Sequence, residues 1–232
     1  MNSFKKQILL VALLFVLNGC GIFSSSPPTV PLEKRSLNSV MQEGMETFKN
    51  GNFDKAIEIF EYIKDTYPFS PEALIAQLKL ADVFYYKHDY QNALLSYQQF
   101  IKLHPKHKQA PYTLYQAGMC YFHQIPSIDR DQTPTKNALE MFKRLIKEHP
   151  KSRYTKRALI KIKICREKLA AHEFYVGRFY YRTGRYKSAL LRFRNLIENY
   201  YELPISRKAQ VYLDRCKSKL KKKQYNPLLS NE

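Results

Sequence analysis

The sequence lacks tryptophan and holds only 7 glycines among its 232 residues, although it carries 18 tyrosines and 14 phenylalanines. So few glycines argue against a turn-rich β-barrel and against glycine-loop nucleotide sites. The HExxH and GxSxG motifs, a phosphate loop and paired CxxC motifs are missing as well. Since 44% of the residues are hydrophobic, the chain can still bury a core. The composition therefore predicts an α-rich protein that is not an enzyme and has no cofactor and no metal ion.

Acidic residues are scarce, because 39 Lys and Arg face only 20 Asp and Glu, a formal net charge of +19. Residues 20–109 are neutral, with 10 charges of each sign, whereas residues 110–232 hold 27 basic and 10 acidic side chains. Such a surplus indicates nucleic acid, an anionic lipid surface or an acidic protein as partner, unless it is simply a solvated face. The cellular compartment decides among these partners.

The amino terminus indicates export. Lys5 and Lys6 precede ten apolar residues, 8–17, about half of the ~20 that a membrane-spanning helix needs. The next residues, Leu-Asn-Gly-Cys, resemble a bacterial lipobox, which implies a signal peptide over 1–19 and a thioether diacylglycerol plus an amide-linked acyl chain on Cys20. An ordinary secretory signal with an incidental cysteine is the alternative.

A lipid anchor of several acyl chains keeps a protein on a membrane. Gly21 stands where an aspartate would resemble an inner-membrane retention signal, so we expect the periplasmic face of the outer membrane. Nucleic acid is not an expected partner there. Residues 20–36 are rich in Ser and Pro and are predicted to form a flexible tether.

Three further cysteines, Cys120, Cys165 and Cys216, cannot all pair with one another. Cys120 lies in an apolar helical stretch, where a cysteine usually serves as a small core residue. His123 is three positions away on the same helix, but two residues do not make a metal site. Core packing is therefore the expected role of Cys120.

The chain repeats itself with a period of 37 residues. A small residue, an alanine, an aromatic residue and a proline recur in that order, and eight extra residues interrupt the third copy. The small residues are Gly44, Ala81, Gly118 and Gly177, the alanines are Ala56, Ala93, Ala138 and Ala189, the aromatics are Phe60, Tyr97, Phe142 and Phe193, and the prolines are Pro68, Pro105 and Pro150.

This order resembles the tetratricopeptide repeat, a pair of antiparallel helices in which the small residue lets the first helix approach the second closely. The predicted fold is an all-α tetratricopeptide-repeat solenoid, a right-handed superhelix of about four full repeats and a partial fifth over 37–223, followed by a tail over 224–232. Expected helix pairs lie near 37–65, 72–103, 110–148 with a loop at 124–136, and 154–200, with a last helix at 205–223.

Taken together, these features resemble the BamD family of outer-membrane assembly lipoproteins. The resemblance rests on the lipobox and tether, Gly51-Asn52-Phe53, Tyr67-Pro68-Phe69, the ADVFYY stretch at 81–86 and the insert at 129–131. It implies a non-catalytic scaffold that binds the periplasmic domain of the barrel-inserting subunit, bridges accessory lipoproteins and recognises unfolded outer-membrane proteins. It further implies that Arg207 contacts the inserting subunit and makes Asp129, Arg130 and Asp131 a plausible contact surface. Within that insert, the two aspartates are more ordinarily expected to pair with Arg130 and to cap the next helix than to bind a cation.

The register of the repeats also predicts an inner wall built from first helices. On it lie methionines and aromatic residues, which suit an extended apolar segment such as the terminal targeting strand of an unfolded barrel protein. Packing between neighbouring repeats is the equally plausible alternative. The predicted groove residues are Met41, Met45, Phe48, Leu78, Tyr85, Tyr86, Tyr112, Tyr115, Met119 and Phe122.

Two other functions stay open. A different periplasmic repeat lipoprotein, such as a cell-envelope or division coordinator, would share the fold, but such proteins often place a coiled coil before the repeats. An envelope hydrolase would need a carboxylate or nucleophile constellation that the sequence does not offer.

Overall fold

A computed structural model describes residues 31–225, and of residues 223–225 the backbone alone. The predicted signal peptide, Cys20, most of the tether and residues 226–232 lie outside the described residues. Two units are present, residues 1–36 and residues 37–232. The first unit shows a short 3-10 helix, Leu32–Lys34.

In the described part of the second unit all regular structure is helical, in nine α-helices. These are α1 (Leu37–Lys49), α2 (Phe53–Thr66), α3 (Pro71–Tyr86), α4 (Tyr90–Leu103), α5 (Ala110–His123), α6 (Thr133–Glu148), α7 (Thr155–Arg182), α8 (Tyr186–Asn199) and α9 (Ile205–Tyr225).

Each helix packs mainly on its neighbours in the chain, the arrangement of a solenoid. Short loops make consecutive helices antiparallel hairpins: α1–α2, α3–α4, α5–α6 and the second half of α7 with α8. The predicted all-α tetratricopeptide fold is confirmed. Among residues 31–225, no helix combines the length and apolar character that crossing a membrane requires.

The repeated small residue marks the crossing of the two helices in each hairpin. A β-carbon built on Gly44 would lie 2.8 Å from Cε1 of Phe60, and on Gly118 it would lie 2.6 Å from Cε1 of Phe142. Gly177 has the same relation to Phe193, at 2.7 Å. The closest neighbour is thus the aromatic ring, while the repeated alanines, fully buried, pack beside it.

The turn inside each hairpin has its own sequence signature. Gly51 and Gly184 have positive φ angles of 76° and 72°, and His88 occupies the corresponding turn of the second repeat at 62°. Asn52 and Asp89 follow two of these turns, and their side chains accept hydrogen bonds from backbone N–H groups that begin α2 and α4. A left-handed residue followed by a helix cap therefore ends one helix and starts the next.

Candidate functional site

The predicted groove residues lie on α1, α3 and α5, the first helices of repeats one to three. Eight of the ten are partly or largely exposed. Met119 is only 8% exposed and belongs to the core cluster, because it adjoins Gly118 where α5 crosses α6 most closely. Leu78 is 6% exposed, although it borders an open cleft. The available surface is therefore narrower than the sequence pattern predicts.

The first part of this surface is a cleft of about 560 Å³ between repeats one and two. Phe48 of α1 and Tyr86 of α3 meet edge to face across it, with ring centroids 5.5 Å apart. Met45 and Phe53 border the same cleft. Its lining is mainly apolar, so it suits an aromatic or branched aliphatic side chain.

A second cleft of about 620 Å³, hereafter the Asp82 cleft, lies between α3, α4, α5 and the residues just before α7. It is lined by Pro71, Leu74, Ile75, Leu78, Lys79, Asp82, Phe100, His107, Lys108, Gln109, Tyr112, Arg153 and Tyr154. Only Leu78 and Tyr112 in this set are among the predicted groove residues. The one sequence signal for the rest is Asp82, a lone carboxylate in an apolar helical stretch.

Asp82 is 2% exposed and is fully hydrogen-bonded. Its Oδ1 accepts bonds from the hydroxyls of Tyr97 and Tyr112, at 2.8 and 2.6 Å, and its Oδ2 accepts one from Nζ of Lys79 at 2.8 Å. Burial, together with the charge of Asp82, raises the pKa of both tyrosines well above the usual value. The network ties repeat two to repeat three, since Tyr112 belongs to α5.

At the carboxyl end of α3 and α5 lies a tyrosine–histidine cluster. The hydroxyl of Tyr85 is 2.9 Å from Nε2 of His123, whose ring stacks on Tyr90 at 4.9 Å. Nδ1 of His88 is 2.8 Å from the Tyr90 hydroxyl. Burial lowers the pKa of His123, and the nearby charges of Lys161 and His88 lower it further. Burial also raises the pKa of Tyr85. Tyr85 is therefore held in place instead of free on the groove surface.

Some basic side chains of residues 110–232 form ion pairs within the protein and so stabilise the packing of their own helices. Arg166 of α7 bonds Glu202 and the backbone carbonyl of Asn199, and it lies over the ring of Tyr200. Arg192 bonds Glu173 at 3.2 Å. Arg207, by contrast, is exposed near the start of α9 and has no ion pair among the described residues. Its charge is therefore available to a partner.

The insert between α5 and α6 is a structured loop with an exposed tip at 129–131. Buried Gln132 donates from Nε2 to the carbonyls of Ser127 and Arg130, at 2.9 and 3.0 Å. Asp131 accepts a bond from the backbone N–H of Thr133, the first residue of α6. The N-cap position itself is held by Gln132, whose side chain makes no cap bond, so neither aspartate is the N-cap residue of α6. A salt bridge to Arg130 is not present within the described part of the chain. A hydrogen bond to Ser127 lowers the pKa of Asp129, and one to Thr133 lowers that of Asp131.

The three cysteines after Cys20 are free thiols and fully buried. Cys120 belongs to the core cluster, as expected. Burial raises the pKa of the Cys120 thiol to about 12 and that of Cys165 to about 11, and it raises that of Cys216. These groups are packing residues.

The model of a protein family described as outer membrane lipoprotein, YfiO, matches residues 33–227. Two curated relatives are named outer membrane protein assembly factor BamD. The one from Vibrio cholerae is 29% identical over 212 residues, which cover 87% of this chain and 85% of that protein. The one from Caulobacter vibrioides is 29% identical over 173 residues, and the match spans 75% of this chain and 57% of that protein's length. A solved structure, the TPR2AB domain of yeast Sti1 in its pHSP90 complex, is similar with a TM-score of 0.46 and 16% identity, covering 79% of this chain and 70% of that one.

Proposed function

The chain belongs to the YfiO family of outer membrane lipoproteins, and we propose from this that it is an assembly factor for outer membrane proteins. In this role it is a scaffold: its helical hairpins hold surfaces for other polypeptides in a fixed relation, and no catalytic step is assigned to it. The observation that carries the proposal is the match of the family over residues 33–227 together with exposed aromatic and cationic surfaces on the same solenoid.

We infer that the inner wall binds unfolded outer-membrane proteins. Tyr86 is 57% exposed and Met45 is 39% exposed, and both border the cleft between repeats one and two. Methionine and tyrosine side chains bind varied apolar sequences, since methionine repacks easily and tyrosine offers a large flat ring. An extended terminal strand with alternating apolar side chains fits these requirements.

A photo-crosslinking amino acid at position 86 tests this. It should label a peptide from the carboxyl terminus of a β-barrel protein, whereas the same group at Leu95, which is 63% exposed on a second helix, should not. Equal labelling at both positions, or labelling confined to the half after residue 110, would contradict the proposal.

We further infer that the basic half binds the barrel-inserting subunit through that subunit's periplasmic domain. Arg207 is exposed and unpaired among the described residues, and the whole half after residue 109 is strongly cationic. Arg207→Glu should reduce co-purification of the inserting subunit, because it reverses a charge at the contact. The matched control is Lys102→Glu, an exposed lysine of the neutral half. Unchanged recovery of the inserting subunit with Arg207→Glu would contradict the proposed role of Arg207 in binding it.

Attachment to the outer membrane is assigned to acyl chains on Cys20. Cys20→Ser should move the protein from the membrane to the soluble periplasmic fraction, because the lipid anchor is lost. Retention in the membrane fraction would show that protein contacts suffice. The exposed tip at 129–131 is proposed as the surface for accessory lipoproteins, since Gln132 bonds its backbone from within and leaves its three charged side chains exposed.

A further inference from the structure

The loops that join successive hairpins lie at one edge of the solenoid, hereafter the loop edge. The two helices of each hairpin are antiparallel, so α2, α4 and α6 return to the edge at which α1 begins. The loops over 67–70, 104–109 and 149–154 therefore follow one another along this edge. The contacts agree, because Pro71, which ends the first loop, borders the Asp82 cleft together with Lys108 and Arg153 of the other two.

Two of these loops carry positive charge and no negative charge. Segments 104–109 and 149–154 contain four Lys and Arg residues and no Asp or Glu. Each of the four is exposed, and none forms an ion pair within the part of the chain that the structure describes. The carboxylate next to them in sequence, Glu148, accepts a bond from Nε of Arg144 instead, at 2.7 Å. The four edge cations are Lys106, Lys108, Lys151 and Arg153.

Cations of both loops border one recess of about 600 Å³. Lys108 lies on it from the first basic loop, and Lys151 and Arg153 lie on it from the second. Arg153 is oriented, because it donates to the Tyr154 hydroxyl at 2.8 Å and its guanidinium lies 5.0 Å from the centre of that ring. Its remaining N–H groups and the two ammonium groups suit an anion with several oxygen atoms, such as a phosphate.

Apolar side chains are exposed at the same edge. Phe69, in the first loop, is fully exposed, and Leu103, the last residue of α4, is 56% exposed. Single exposed apolar residues are common and need no explanation by themselves. Here they accompany a cluster of cations, and phenylalanine or leucine beside lysine and arginine is typical of surfaces that lie in the headgroup region of a membrane.

We propose that the loop edge binds the surface of an anionic phospholipid membrane, with headgroup phosphates on the four edge cations and Phe69 in the interface. Leu37 begins α1 at this same edge, and the predicted tether precedes Leu37 in sequence. This proximity to the segment that carries the anchor favours a membrane over an acidic protein.

The loop edge would give the anchored protein a defined orientation. A tether over 20–36 spans up to about 55 Å when it is fully extended, so acyl chains alone leave open which side of the solenoid faces the membrane. A second contact at the loop edge fixes that side and leaves the inner wall free for polypeptides. This inference rests on the proposed attachment to the outer membrane.

Sedimentation with vesicles tests the loop edge in the mature chain with Cys20→Ser, which has no acyl chains. Vesicles of phosphatidylcholine are compared with vesicles in which phosphatidylglycerol replaces about a quarter of that lipid. The chain should bind the mixed vesicles about tenfold more tightly or better, and added salt should remove the difference, because anionic lipids attract basic residues and salt screens them. Such binding is reversible and is lost on dilution, which agrees with the expected release of Cys20→Ser during fractionation.

Two variants with equal loss of charge locate the contact. Replacing all four edge cations by glutamine should abolish the preference for mixed vesicles. The matched control replaces four exposed cations at the far end of α7 and in the turn after it by glutamine, and it should keep the preference. These control residues are Arg178, Arg182, Arg185 and Lys187.

A fluorophore reports the orientation of the lipidated chain. Attached to Phe69→Cys, it should be quenched by a spin-labelled lipid in mixed vesicles. Attached to Leu95→Cys, at a position within α4 that is 63% exposed, it should not be quenched. The three native cysteines of the described chain are buried and should not take up the label.

Equal binding to both kinds of vesicle would overturn the inference. So would a preference that survives in the edge variant or is lost equally in the control, and so would equal quenching at positions 69 and 95. The sedimentation assay contains neither acyl chains nor a barrel protein, so its failure leaves the proposed function untouched. Attachment through Cys20 is tested separately by fractionation of Cys20→Ser, and the two failures are therefore distinguishable.

Discussion

Replacing Gly118 by alanine tests the packing on which the repeats depend. The added β-carbon would lie 2.6 Å from Cε1 and 2.9 Å from Cδ1 of Phe142, a ring that is fully buried. Such distances are shorter than van der Waals contact, so either the ring or helix α5 must shift. The ring has little room, because Tyr115 and Phe122 pack on it with centroids 5.8 and 6.4 Å away.

Two opposing effects set the magnitude. Alanine favours a helix over glycine by about 1 kcal/mol, while overpacking a core costs about 1–3 kcal/mol. Gly118→Ala should therefore lower the free energy of unfolding by up to about 2 kcal/mol. Urea denaturation followed by circular dichroism measures this, with an unchanged slope as evidence that the transition is the same.

The same substitution in a protein that lacks the Phe142 ring tests whether that ring causes the loss of stability. In a Phe142→Ala protein all the ring atoms that the added β-carbon would meet are gone, so adding Gly118→Ala should raise the free energy of unfolding by about 1 kcal/mol through helix propensity. The second repeat is a natural control, since Ala81 already occupies the equivalent position opposite Tyr97. Stabilisation by Gly118→Ala with Phe142 in place would refute the close-approach explanation.

Three further predictions concern single ionisable side chains. Asp82→Asn should lower the free energy of unfolding by about 3 kcal/mol, because it removes the charged acceptor of the bonds from Tyr97, Tyr112 and Lys79. Adding Lys79→Gln to that variant should cost less than the same change costs alone in urea titrations, and additive losses would contradict the pairing. The Cys120 thiol, fully buried with a pKa raised to about 12, should resist a thiol reagent at pH 8 until the protein is unfolded, and rapid labelling of the folded protein would contradict its burial. The folded state lowers the pKa of His123, so the unfolded chain takes up the proton first as the pH falls. The contribution of His123 to the free energy of unfolding should therefore be fully present above pH 6.5 and decline below that value. His123→Phe should show a smaller fall in urea midpoint between about pH 7.5 and about pH 5.5 than the unaltered protein, and an identical fall would exclude His123 as the cause.

Most of the fold is predictable from the sequence because the residues that repeat are the ones that pack at the helix crossings. The spacing of Gly44 to Phe60 recurs as Ala81 to Tyr97 and Gly177 to Phe193, and each pair forms one helix crossing. Prolines and turn residues then mark the helix ends. The insert is less predictable. Helix α6 begins at Thr133, a few residues before the expected end of the loop, because Asp131 accepts a bond from the Thr133 N–H and Gln132 supports the preceding turn.

The candidate site is predictable only in part. The periodicity places Phe48, Tyr86 and Tyr112 on first helices, but it does not reveal that Met119 is buried in the core. The Asp82 cleft combines side chains from α3, α4, the loop after α4, α5 and the loop before α7. No spacing rule joins Lys108 to Arg153, since their proximity to one cleft depends on how successive hairpins stack.

Reconstituted barrel assembly measures the central claim most directly. Liposomes containing the barrel-inserting subunit would receive an unfolded barrel protein, with or without the lipidated full-length chain, and the protease-resistant fraction would be followed over time. We predict faster acquisition of protease resistance when the chain is present, and loss of that gain with Arg207→Glu. An identical rate with and without the chain would contradict a role in assembling outer membrane proteins.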